Sequence, residues 1–203
     1  MSGGIAGVLR RLRVGKPVVV VSGLPRSGTS MAMKMLEAGG LEVVTDGVRT
    51  ADVDNPKGYY EDERVKDLAK AEDRGWLRGS RGKAIKIISF LLKDLPEEND
   101  YKVVFMERDL DEVLASQQKM LDHREEAAGP EDEEMAKIYV EHLRHVKFMV
   151  GYRRHFDTLF LNYRAALADP AAAAARINAF LGGGLDERRM AEVVDPDLYR
   201  NRA

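Results

Sequence analysis

The 203-residue chain contains no cysteine, which excludes disulfide bonds and thiolate chemistry and fits a reducing compartment. It has little excess of either charge, and its net charge of −2 gives no reason to expect nucleic acid or an anionic membrane as a partner. Long apolar runs are also missing, because the run that follows the N-terminal arginines has only the length of a strand. We therefore expect a cytoplasmic protein without a signal peptide or membrane insertion, folded as one domain over residues 1–203.

The most informative stretch is VVVVSGLPRSGTS, at residues 18–30. Four consecutive valines predict a buried strand, and the glycine and proline that follow predict a tight loop. A helix is predicted from Thr29, ending near Gly39 and Gly40. In such a strand–loop–helix unit, backbone N–H groups and the positive end of the helix dipole point into the loop. The stretch therefore predicts an anion-binding site.

The loop differs from the nucleoside-triphosphate pattern G-x-x-x-x-G-K-[ST] in the position of its cation. Gly23 and Gly28 occupy the two glycine positions, and Ser30 stands where a serine or threonine holds magnesium. Thr29 replaces the lysine that reaches the β- and γ-phosphates, whereas Arg26 places a cation inside the loop. The pattern favours a phosphate site without the usual magnesium-triphosphate chemistry.

Strand and helix patterns alternate along the rest of the chain. Apolar strand patterns cover residues 42–44, 84–88, 102–106 and 159–163, and helical patterns cover 110–121, 133–155 and the alanine-rich segment after Asp169-Pro170. The alternation predicts an α/β protein with a three-layer P-loop-type fold, in which a central, mainly parallel sheet carries helices on both faces. Ligands bind at the carboxyl ends of such strands, and Arg26, Lys86, Arg108 and Tyr163 lie in or just after those ends.

Three segments together resemble the sulfotransferases that use 3′-phosphoadenosine 5′-phosphosulfate (PAPS), in particular their short bacterial members. Pro25-Arg26-Ser27-Gly28-Thr29-Ser30 matches the family's P-[RK]-S-G-[ST]-[ST] loop, which grips the 5′-phosphosulfate of the donor. Arg108 and Ser116 have the spacing of the family's R-x7-S segment, which grips the 3′-phosphate. Tyr163 and Asp169-Pro170 match a third signature, without its acidic pair. The resemblance extends through nearly the whole chain.

The resemblance implies metal-free, in-line transfer of a sulfuryl group from PAPS to a hydroxyl or amine of a small-molecule or glycan acceptor. The other product is 3′-phosphoadenosine 5′-phosphate (PAP). By the same resemblance, Arg26 stabilises the leaving 5′-phosphate and Lys86 lies near the transferring group. Tyr163 borders the adenine. The family's C-terminal phosphate contact is missing here, and either Arg200 or Arg202 is expected to substitute for it.

The general base is the least defined part of this expected site. No histidine follows Lys86 in the segment Ile87-Ile88-Ser89, where many cytosolic relatives have one. Other branches use a carboxylate about twenty residues after the loop cation, and Asp46 has that position. Glu61 is a second candidate of equal standing. A carboxylate serves as a base if burial raises its pKa toward neutrality.

Several of these residues also have a purely structural interpretation. Arg108 has carboxylates close in sequence, among them Glu112, and an ion pair there is the alternative to phosphate binding. Lys86 interrupts an apolar run, so we expect it to be either paired or functional. His142 and His145 share a helix face without a third metal ligand, which favours packing or solvation.

Two other functions stay open at this point. A P-loop kinase or nucleotide hydrolase would depend on magnesium, and the missing Walker lysine argues against it. A nucleotide-binding protein without turnover would account for the missing histidine and the altered third signature.

Overall fold

The computed structural model describes residues 14–47, 60–124 and 132–195, and these residues include one parallel sheet. Its strands are β1 (Val18–Gly23), β2 (Val43–Val44), β3 (Ala84–Lys86), β4 (Tyr101–Glu107) and β5 (Phe156–Asn162). They lie in the order β2-β3-β1-β4-β5, and every pairing is parallel. The predicted α/β class is confirmed.

Helices connect the strands. In the described ranges they are α1 (Thr29–Ala38), α2 (Glu63–Lys66), α3 (Leu110–Arg124), α4 (Asp132–Tyr152), α5 (Tyr163–Ala168), α6 (Pro170–Leu181) and α7 (Glu187–Glu192), with 3₁₀ helices at Gly75–Ser80 and Ser89–Asp94. Helix α6 begins as predicted, because the side chain of Asp169 accepts the N–H of Ala172 and Pro170 takes the first helical position. Across the parts of the chain described above, no helix combines the length and the apolar character that a membrane span requires.

The sheet separates two hydrophobic cores. All six residues of β1 are buried, and successive side chains face opposite sides. Val19 and Val21 pack with α1, α5, α6 and α7 on one face. Val18 and Val20 pack with α4 and the two 3₁₀ helices on the other face. Because β1 is the central strand, the loop that follows it lies at the middle of the carboxyl edge of the sheet, between the ends of β3 and β4.

The structure shifts several of the predicted boundaries, and three of them lie at the ends of elements near the site or its supporting helices. The strand predicted at residues 84–88 ends at Lys86, and the helix predicted at 133–155 ends at Tyr152. The strand predicted at 159–163 ends one residue early, at Asn162, because the side chain of Asn162 accepts the N–H of Ala165 and so caps α5. Tyr163 is consequently the first residue of a short helix instead of the last residue of a strand.

Candidate functional site

The loop between β1 and α1 requires glycine at both glycine positions of its pattern. Gly23 has φ 150°, and a Cβ atom there would lie 2.7 Å from the backbone oxygen of Met106. Gly28 has φ 98°, and a Cβ atom there would lie 2.4 Å from Cδ2 of Tyr163. Both distances are shorter than van der Waals contact, and both φ values disfavour any residue with a side chain. The two glycines therefore let the loop lie against β4 and α5.

Arg26 lies at the centre of the site. It adopts φ 67°, and its Nε donates to Oγ of Ser116 over 3.0 Å. Its backbone oxygen accepts a hydrogen bond of 3.0 Å from Nη1 of Arg108. Three residues predicted to bind the donor therefore meet here. The eight-residue spacing between Arg108 and Ser116 is bridged through Arg26, because α3 packs back toward the loop.

Arg108 is largely buried, and three of its contacts define its position. Besides the bond to Arg26, its Nε donates to Oε2 of Glu112 over 2.8 Å, and its Cζ lies 4.7 Å from the ring centroid of Tyr163. The ion pair that the sequence offered as an alternative is thus present together with the contact to the loop. The cation–π contact with Tyr163 and the ion pair with Glu112 together fix the orientation of the Arg108 guanidinium.

Glu112 and Arg164 belong to the same cluster, although no sequence motif placed either of them in the site. Glu112 is only 1% exposed, and its Oε1 accepts a hydrogen bond of 2.5 Å from Nε of Arg164. Nη2 of Arg164 also contacts this oxygen. One buried carboxylate thus contacts two arginines, one on each oxygen. One feature of the sequence could have identified Glu112: it is four residues from both Arg108 and Ser116, a spacing that allows contact on a helix.

Lys86 and Glu61 form an ion pair at the end of β3. Nζ of Lys86 lies 3.2 Å from Oε1 of Glu61, and both side chains are mostly buried. The structure therefore brings together two residues that were predicted separately, a cation and a candidate base. The parallel register places Lys86 opposite Val21 on the central strand, two residues before Gly23.

Asp46, the other candidate base, holds the segment that carries Glu61. Its Oδ2 accepts the N–H of Glu63 over 2.6 Å, and its own N–H donates to the backbone oxygen of Glu61 over 3.1 Å. On the other side of Glu61, Tyr60 has φ 53° and its hydroxyl donates to Glu37 over 2.6 Å. Burial, together with that carboxylate, raises the pKa of Tyr60. Glu61 thus lies between Tyr60, which is bonded to Glu37, and Glu63, which is bonded to Asp46.

The remaining loop residues differ in exposure. Ser27 and Thr29 are buried, whereas Pro25, Gly28 and Ser30 are partly accessible. Among the described residues, Oγ of Ser27 has no hydrogen-bond partner. The N-terminus of α1, where backbone N–H donors and the positive end of the helix dipole gather, follows the loop directly. Together with the cation of Arg26, these donors fit an anion such as a phosphate. Arg200 and Arg202 lie outside the described residues.

His142, on α4, packs against the 3₁₀ helix that follows β3. Its Nε2 lies 2.8 Å from Oγ of Ser89, and its ring stacks on Phe90 with centroids 3.7 Å apart. Burial, followed by repulsion from His145 and Lys93, lowers the pKa of His142. In the ranges that the structure covers, no group of three or more His, Asp or Glu side chains is arranged to hold a metal ion.

No protein-family model and no curated protein matches this chain. Among solved structures, it is similar to a mouse sulfotransferase complexed with PAP, with 15% identity, a TM-score of 0.48 and coverage of 88% of this chain. The match spans only 62% of the mouse protein. A sulfotransferase from Alicyclobacillus acidocaldarius has 15% identity and a TM-score of 0.47, covering 91% of this chain and 88% of that one.

A sugar kinase from Janibacter sp. HTCC2649 is similar as well, with 13% identity and a TM-score of 0.43 over 90% of this chain and 98% of that one. Likenesses this weak to proteins of two functions do not assign a function. A function for this chain therefore has to follow from its own residues and contacts.

Proposed function

We propose that this chain is a PAPS-dependent sulfotransferase that acts on a hydroxyl or amine of a small-molecule or glycan acceptor. One observation carries the proposal: the loop cation Arg26 contacts both Arg108 and Ser116, at 3.0 Å each. The loop motif and the R-x7-S segment are recognised independently in the sequence and lie more than 80 residues apart. A nucleotide with phosphate groups at two positions needs two anion sites side by side, and this contact supports the proposal because it brings the two segments together.

In the proposed complex the loop binds the 5′-phosphosulfate of the donor. The first N–H groups of α1 and the guanidinium of Arg26 supply positive charge where the leaving phosphate gains negative charge. Arg108 and Ser116 bind the 3′-phosphate, which suits a guanidinium because its planar fork donates in pairs. Tyr163 is only 6% exposed and packs under Gly28, so we assign it to the support of the loop and to the border of the adenine site.

Lys86 and Glu61 carry the proposed transfer step. The acceptor oxygen attacks sulfur in line, the bond between sulfur and the phosphate oxygen breaks, and PAP leaves. The carboxylate of Glu61 takes the proton of the acceptor hydroxyl, and Lys86 stabilises the charge on the transferring group. We prefer Glu61 to Asp46 as the base because it pairs with Lys86, whereas Asp46 accepts a backbone N–H. Asp46 then positions the segment that carries the base.

Calorimetric titration with PAP, and separately with ATP and magnesium, tests the donor assignment. We expect PAP to bind without magnesium and the Arg26→Ala variant to bind it at least about tenfold more weakly, because a charge-assisted hydrogen bond is lost. The control is Arg188→Ala, since Arg188 is an exposed arginine on α7. Preference for ATP with magnesium would support a kinase instead, and binding of neither nucleotide would refute the proposal.

Release of PAP from PAPS, measured across a panel of phenols, sugars and amines, tests the catalytic assignment. For an acceptor that is turned over, Glu61→Gln should lower kcat by about 10²- to 10⁴-fold, as expected when a general base is removed. Its affinity for PAP should stay unchanged. An unchanged kcat in this variant would exclude Glu61 as the base. Tight PAP binding without turnover of any acceptor would favour a nucleotide-binding protein without catalysis.

A further inference from the structure

The exposed large apolar side chains lie on a single helix. Across the described residues they are Ile138, Val140, Phe148 and Tyr152, and all four belong to α4. Phe148 is 72% exposed and Tyr152 is 78% exposed. Their rings stack on each other, with centroids 5.9 Å apart and planes 8° from parallel, so they form one aromatic surface. Apolar side chains grouped in this way are typical of a surface that binds another protein.

Two opposite charges lie on the same exposed face of α4. Glu141 and Arg144 are exposed, and within the described ranges neither has an ion-pair partner. Lys147, on the next turn, differs from them because it pairs with Glu107 over 2.6 Å. The face therefore carries one negative and one positive charge that a partner can reach.

An apolar groove lies on the N-terminal side of this pair of charges. It has a volume of about 500 Å³, and its lining comes from Glu133, Ala136, Lys137, Val140, Glu141 and Arg144. Ala136, Val140 and the methylene stems of Lys137 and Arg144 supply its apolar surface. The aromatic surface lies on the other side of the two charges. Helix α4 thus presents a groove, two opposite charges and a projecting ring, in that order along the chain.

This order makes the exposed face complementary to itself. Lys137 of the groove lies four residues before Glu141, and Phe148 lies four residues after Arg144. The four positions share one face, because they follow each other at spacings of four, three and four. A two-fold axis midway between Glu141 and Arg144 pairs α4 with an antiparallel copy of itself. Glu141 then faces Arg144, and Phe148 faces the groove at Lys137, in both directions.

We infer that two copies of this chain form a symmetric dimer in which their α4 helices pack antiparallel. Phe148 of each copy occupies the α4 groove of the other, and Glu141 of each copy pairs with Arg144 of the other. Burial of the aromatic ring supplies most of the affinity, whereas the two ion pairs fix the register. The dimer does not depend on the proposed function, because none of these residues belongs to the proposed donor site.

The size of the face sets the expected strength of the dimer. Helix α4 has 21 residues, so the face is about 30 Å long, and a helix is about 10 Å wide. That area is small for a permanent interface. We therefore expect a dimer that dissociates on dilution, with a dissociation constant in the micromolar range.

Sedimentation velocity of the full chain between about 1 and 200 µM tests the dimer, since this range brackets micromolar dissociation. We expect the wild type to change from monomer to dimer as its concentration rises. Phe148→Ala should raise the dissociation constant at least about tenfold, because an aromatic anchor is lost. The control is Arg188→Ala on α7, which should dimerise as the wild type does. Thermal unfolding curves confirm that each variant is folded.

A charge exchange tests the antiparallel register. Glu141→Arg and Arg144→Glu each place like charges opposite each other in a dimer of identical copies, so each variant alone should stay monomeric. An equimolar mixture of the two variants restores both attractive pairs and should dimerise. Arg188→Glu changes the net charge as Arg144→Glu does and should leave the dimer intact.

Three results would overturn the inference. A wild type that is monomeric at every concentration would mean that no second copy binds to α4. A dimer with the same dissociation constant in Phe148→Ala would mean that the copies meet through another face. A mixture of the two charge variants that stays monomeric would mean that Glu141 and Arg144 do not face each other.

Discussion

Two arginine–glutamate pairs in this protein have the same spacing and the same length but opposite burial. Arg108–Glu112 and Arg188–Glu192 are both i,i+4 pairs with an N–O distance of 2.8 Å. The side chains of the first pair are 7% and 0% exposed, and those of the second are 86% and 57% exposed. The two substitutions Glu112→Gln and Glu192→Gln therefore remove the same charge from a buried pair and from an exposed pair.

We expect Glu112→Gln to lower the free energy of unfolding by about 3 kcal/mol, near the lower end of the cost of breaking a buried ion pair. The lower end applies because Arg108 keeps its contacts with Arg26 and Tyr163, and because half of Arg164 is in solvent. For a protein of this size that loss corresponds to a melting temperature lowered by roughly 6–12 °C. Glu192→Gln should leave stability unchanged, because exposed pairs contribute little.

Urea unfolding followed by circular dichroism, together with thermal melting, measures both variants under the same conditions. Equal effects of the two substitutions would refute the reasoning, since burial would then make no difference to the pair. A loss below about 1 kcal/mol for Glu112→Gln would also refute it, because that is the range of a surface pair.

The remaining predictions concern the loop and the buried histidine. Gly28→Ala should cost more stability than Gly184→Ala, because both glycines have φ above 90° but only Gly28 would bring a Cβ into contact with Tyr163. The difference in free energy of unfolding should be about 1–3 kcal/mol, as for other overpacked sites, and equal losses would contradict the close approach of the Tyr163 ring to the loop. For His142 the pKa is lowered in the folded state by burial, so the unfolded chain takes up a proton at a higher pH than the folded chain. Its contribution to stability is therefore complete above about pH 6.5 and decreases as the pH falls below that value. Unfolding curves between pH 7.5 and 5.5 should show a smaller decrease in stability for His142→Gln than for the wild type; identical slopes for the two proteins would contradict this.

The strand–loop–helix unit was predictable because its signals are local. Four valines, a glycine-rich turn and a helix start stand next to one another, and the structure has them as β1, the loop and α1. The cap of α6 was predictable for the same reason, since Asp169 acts on an N–H three residues away. One boundary shifted where a side chain starts a new helix, as Asn162 does for α5.

The pairing of the site residues was not predictable from the same signals. Lys86 and Glu61 are each candidates on separate grounds, and only the fold shows that they form an ion pair. Tyr163 is predicted to border an adenine, and the structure adds that its ring fills the space beneath Gly28. The sequence presents Glu112 only as a possible partner of Arg108, because its second contact comes from α5, more than 50 residues later.

By itself the sequence determined the α/β class, the order of the strands and of the longer helices, and the kinds of residue at the carboxyl edge of the sheet. These follow from hydrophobic periodicity and turn chemistry, which act over a few neighbouring residues. Only the tertiary structure decided which of those residues touch: Arg26 with Ser116 and Arg108, and Glu112 with two arginines. Such contacts depend on how α3 and α5 pack against the loop, and that packing is settled by the hydrophobic cores acting together across the whole chain.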